Sequence, residues 1–73
     1  MSAEYVLEVG FGPHATYLFV TDAIGTRVWW DDAISGQLDA ATIRMLLEHA
    51  GWDLIDEPHA DELGWWQKCA PVA

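Results

Sequence analysis

Three histidines, one cysteine and twelve carboxylates are the groups in this 73-residue chain with the means to do chemistry. Paired catalytic carboxylates must face a common substrate. Asp31 and Asp32 are adjacent, so on an extended backbone they point to opposite sides. They read as solvated groups just past a strand. His14 falls in a turn and His59 in an acidic loop. His49 falls in the last turn of a helix, where a cation suits the helix dipole. No serine or cysteine stands beside a histidine as an activated nucleophile, and Ser35-Gly36 reads as a turn. No catalytic residue is expected.

A metal is the next possibility. His49, Asp53, Asp56, Glu57, His59 and Asp61 are close in sequence, a mix of donors suited to a divalent cation. They follow no calcium-loop pattern, and nine residues between two histidines is not a zinc spacing. A solvated acidic edge, with no metal and no cofactor, is the expectation. Cys69 alternates with Trp65 and Gln67 on a strand, which makes it a buried, inert thiol. The neighbouring Lys68 points to the opposite face and cannot activate it.

Charge and aromatic content remain. Twelve acids face only Arg27, Arg44 and Lys68, a net charge of −9. Nucleic acid and anionic membranes would repel such a surface, so neither is an expected partner. The acids are uneven: residues 31–62 hold nine of them and a single base. That stretch is a candidate docking face for a protein with a basic surface. Asp31, Asp32, Asp53, Asp56, Glu57, Asp61 and Glu62 are its candidate contacts. No stretch is long and apolar enough for a membrane span, and the amino terminus lacks the pattern of a signal peptide, so a cytoplasmic location is expected.

The elements that must carry these groups form one domain over residues 1–73. Residues 4–9 alternate, with Tyr5, Leu7 and Val9 on one side. A turn follows over residues 10–14. Residues 15–20 are apolar on both sides and read as a central strand. After a hairpin turn at residues 22–25, residues 26–30 make a third strand, and residues 31–37 a connection. Asp39 is a good N-cap, Leu38 and Ile43 sit at staple positions, and Ile43, Leu46, Leu47 and Ala50 form an apolar stripe. Gly51 ends this helix, predicted over residues 40–50. Residues 52–55 and 64–69 are two further strands. The predicted class is α+β: an antiparallel sheet of about five strands in the order βββαββ, with one helix on one face.

The run LLEHAGWDLID, residues 46–56, resembles a pattern in small bacterial and phage domains of unknown function. There a helix ends in glycine and a Gly-Trp-Glu-Leu-Val type strand follows; here Asp53 replaces the glutamate. A last strand with an aromatic and a lysine comes after, and GWWQKC fills that place. The resemblance implies the strand–helix–strand layout and no activity.

Five strands make a sheet about 24 Å wide. One helix is about 10–12 Å across and cannot cover it. Yet apolar side chains fall on both sides, and the doublets Trp29-Trp30 and Trp65-Trp66 each place one indole on either side. The cover must come from residues 31–38, the tail, a second copy or a partner. Trp29, Trp30, Trp65 and Trp66 therefore join the candidate contacts. The expected function is a non-enzymatic protein-interaction module, homodimeric, with an acidic surface against a basic protein. Its sharpest form is a phage-type inhibitor of a nucleic-acid-binding host protein. The alternatives are a small-ligand or carbohydrate binder that stacks on exposed tryptophans, and an accessory or regulatory subunit.

Overall fold

The computed structural model describes residues 4–72, with side chains throughout except at 32–34. The elements in chain order are β1 (Tyr5–Phe11), β2 (Ala15–Asp22), β3 (Arg27–Ser35), α1 (Ala40–His49), β4 (Trp52–Leu54), β5 (His59–Ala60) and β6 (Gly64–Pro71). All strand pairs are antiparallel. The sheet runs β3-β2-β1-β6-β4, and β5 also pairs with β6. Since β1 takes one side of β6, β4 and β5 share the other. The class is α+β, with six strands laid out five positions wide.

The interior lies on one side of this sheet. Leu7 and Val9 of β1, Leu18 and Val20 of β2 and Cys69 of β6 are buried against Ile43 and Leu47 of α1. Trp29, Trp52 and Trp65 close the rim of that core, and Tyr5 meets Trp52 with ring centroids 5.1 Å apart. The register explains the arrangement: Leu7 lies between Val20 and Gln67, and Val9 between Leu18 and Trp65. Alternation then delivers each strand's apolar residues to the helix.

The helix is set by its ends. Asp39 accepts a hydrogen bond from the Thr42 backbone N–H at 2.8 Å. Side-chain and backbone hydrogen bonds with Thr42 hold the Asp39 carboxyl below its ordinary value. The cap's contribution is therefore present above the ordinary carboxylate range and is lost as acid protonates Asp39. At the other end Ala50 caps the helix and Gly51 takes φ +94°, the left-handed turn that glycine adopts without strain.

Two expectations need correction. First, β3 does not stop at Trp30 but runs on to Ser35, so most of the expected connection is strand. The buried Thr16 hydroxyl donates to the Gly36 carbonyl and accepts from the Leu38 N–H, which ties the end of β3 to β2. Leu38 then packs on the core, on the helix side of the sheet. Second, the polar loop before β6 contains β5, opposite Trp66 and Trp65. The expectation that β2 is a central strand holds: it lies between β3 and β1, and β1 in turn lies between β2 and β6.

Candidate functional site

The sheet face away from the helix is the candidate site. Among the described residues, no helix or strand lies across it. Register places five side chains in one row over it: Trp30 opposite Phe19, Phe19 opposite Glu8, Glu8 opposite Trp66, and Trp66 opposite His59. At the usual strand spacing this row is about 19 Å long. Trp30 is 56% exposed and Tyr17, on the same face, 38%. His59 stacks on Trp66 with centroids 4.3 Å apart and planes 16° from parallel. Arg27 lays its guanidinium carbon 4.1 Å from the centre of the Phe19 ring.

A second row, Tyr17–Gly10–Gly64, has no side chain over β1 or β6. The missing side chains leave a hollow of about 270 Å³, walled by Phe11, Tyr17, Phe19 and Leu63 over Gly10 and Gly12. Beside it a smaller hollow of about 70 Å³ shares Phe19, Gly10 and Leu63 and adds Glu8, Val9 and Asp61. Leu63, at 76% exposure, stands over both as a rim. Asp61 is fixed in place: its Oδ1 accepts the N–H groups of Leu63 and Gly64 at 2.9 and 2.8 Å.

The structure separates the tryptophans as the doublets imply. Trp29 and Trp65 pack on the core, while Trp30 and Trp66 share the open face. It also divides the acidic stretch. Asp53, Asp56, Glu57, Asp61 and Glu62 are exposed along the β4–β6 edge. Asp31 stands on β3, at the far edge of the sheet, opposite Leu18 and half-buried. The side chain of Asp32 lies outside the described residues. The acids thus flank the Trp66–His59 end of the row and do not form one continuous face with Asp31. Asp56 is held at φ +60° while its carbonyl accepts from the buried Gln67 side chain at 2.8 Å, which pins the acidic loop to β6.

Sequence reasoning did not single out Glu8, Tyr17, Phe19, Arg27 or Leu63 as contacts. Glu8 was legible as the outward residue of an alternating strand. The glycine row was not, because Gly10 and Gly64 meet only through the β1–β6 pairing.

Among the described residues, no three of His, Cys, Asp and Glu come together as metal ligands, and no helix is long and apolar enough to cross a membrane. Cys69 is 2% exposed, and burial pushes its thiol up to about 11 from an ordinary value of 9.0. Folding thus favours the neutral thiol. Its contribution to stability is full below the unfolded value and is lost as pH rises toward the folded one. Native protein at pH 8 is expected to resist a thiol-labelling reagent, and urea-unfolded protein to label at once. Equal labelling rates in the two states would place the thiol in solvent.

Neither a protein-family model, nor a curated protein, nor a solved structure matches the chain.

Proposed function

We propose that this protein is a non-enzymatic interaction module that docks a protein partner with a basic surface on its uncovered sheet face. The observation that carries the reading is the row Trp30–Phe19–Glu8–Trp66–His59, exposed at Trp30, Glu8 and His59, half-buried at Phe19 and Trp66, and bordered by the acidic β4–β6 edge. Exposed apolar patches of this kind mark interaction sites, and tryptophan is enriched among the residues that dominate binding. The acidic border steers a basic surface toward them. A basic surface of that kind is what nucleic-acid-binding proteins present to phosphate. The sharpest form of the proposal is therefore an inhibitor that covers such a surface and excludes the nucleic acid.

A second copy of the chain is the competing occupant, since Tyr17, Val28 and Trp30 leave apolar area exposed on or beside this face. Net charge favours the basic partner. Bringing together two chains of net charge −9 is opposed by repulsion, whereas a basic partner is attracted. Sedimentation at two concentrations separates the two readings.

The test is capture from host extract at low salt, where charge attraction is strongest. Wild-type protein and the helix-side control Met45→Ala are expected to retain the same partner, and Trp30→Ala to lose it. Bound nucleic acid is expected to leave that partner as the module is added. A partner retained equally by Trp30→Ala, or none retained by wild type, contradicts the reading.

A further inference from the structure

The uncovered face contains a site more specific than a row of rings. We propose that the trough between Glu8, Phe19, Tyr17, Leu63 and Asp61 seats one arginine side chain of the partner; this rests on the docking reading above.

Four observations point to a guanidinium. The first is the chain's own Arg27, whose guanidinium carbon sits 4.1 Å from the Phe19 ring centre. This ring already receives such a group. The same ring also walls both hollows, toward Gly10 and Leu63. The second is the shape of the hollow. Its floor is glycine and its walls are Phe11, Tyr17, Phe19 and Leu63, an open apolar hollow of about 270 Å³. Such a surface suits the aliphatic stem of a long cationic side chain, which lays its methylenes on apolar groups and keeps its charged head at a polar rim.

The third is the position of the carboxylates. Glu8 and Asp61 both border the smaller hollow, which shares Gly10, Phe19 and Leu63 with the larger one. Glu8 lies in register between Phe19 and Trp66, so a group bound to it is flanked by aromatic rings. Among the described residues, Glu8 has no cationic partner. Arg27 is engaged with Phe19, and Lys68 sits opposite Val6, one row away. Asp61 is oriented by the two N–H groups of its own turn and does not need to reorganise. The fourth is the charge balance. A chain of net charge −9 gains from taking up a cation, and a second copy brings the wrong sign.

Arginine fits better than lysine. Its planar guanidinium stacks on rings and meets a carboxylate with a two-pronged fork, while an ammonium is a strongly hydrated point charge. A seat of this type discriminates between the two cations; a merely acidic surface does not.

Hexa-arginine and hexalysine peptides titrated into the wild-type protein test this. Hexa-arginine is expected to bind about tenfold more tightly. Its amide-shift footprint is expected to centre on Glu8, Gly10, Gly12 and Gly64. Glu8→Gln, at an exposed position, is expected to keep the unfolding midpoint and lose most of the preference. Equal binding of the two peptides overturns the proposal, because attraction is then by charge alone. A preference that survives in Glu8→Gln overturns it too, as does a wild-type dimer that closes this face at the working concentration. If the preference is absent while a captured partner still requires Trp30, the arginine seat falls and the docking reading stands. If Trp30 is also dispensable, both fall.

Discussion

Gly64→Ala is expected to disrupt the β1–β6 pairing and with it the sheet. Gly64 opens β6 and lies opposite Gly10 of β1. A Cβ added there would run into the Val9 carbonyl oxygen and would also stand 3.1 Å from the Val9 carbonyl carbon and 3.2 Å from Phe11 Cδ2. The obstruction is backbone of the middle strand, held by β2 on its other side, and cannot swing away as a side chain tip would. Overpacking costs about 1–3 kcal/mol where neighbours can yield, and more where they cannot. The expected loss is at least about 3 kcal/mol. Gly51→Ala is the comparison. That position has φ +94° and nothing within 4 Å of an added Cβ, so it pays for left-handed strain alone, about 1–2 kcal/mol. Urea unfolding followed by circular dichroism measures both. Gly64→Ala as stable as Gly51→Ala would contradict the close approach of β6 to β1.

The second large effect is expected at Leu47. Ile43 and Leu47 are the only fully buried helix residues, and they join the helix to Leu7, Leu18 and Val20. A chain of this length has about 4–11 kcal/mol of stability in all. Leu→Ala in a core costs about 2–5 kcal/mol, through lost transfer energy and the cavity left behind. Leu47→Ala should therefore remove at least about a fifth of the total and lower the unfolding midpoint clearly. Met45, on the same helix but 59% exposed, is the control, with a change within about 0.5 kcal/mol on mutation to alanine. A Leu47→Ala midpoint equal to that of Met45→Ala would show that the helix is not what closes this core.

The helix was legible because its signals are local. Asp39, the Ile43–Leu47 stripe and Gly51 lie within thirteen residues, and each acts through the backbone next to it. The alternation of the tryptophan doublets was legible for the same reason: adjacent residues on a strand face opposite ways. What escaped the sequence depends on pairing between distant segments. Asp31, Asp32 and Ser35 are poor strand residues, and β3 extends through them because β2 supplies a partner; just beyond its end the Gly36 N–H donates to the His14 carbonyl. β5 is two residues long and exists only opposite Trp65 and Trp66. The Glu8 trough needs Gly10, Phe19 and Leu63 from three segments. The acidic stretch illustrates the same limit from the other direction. It is continuous in sequence, yet Asp31 and the Asp53–Glu62 group fall at opposite edges of the sheet.

The five indole N–H resonances of the protein test the central claim most directly, because they divide between the two faces. With the captured partner added to nitrogen-15-labelled protein, the Trp30 and Trp66 indoles should move or broaden. Those of Trp29, Trp52 and Trp65, packed on the core, should stay in place. Movement confined to the core-side indoles or to amides of the helix, with Trp30 and Trp66 unchanged, would contradict docking on the uncovered face.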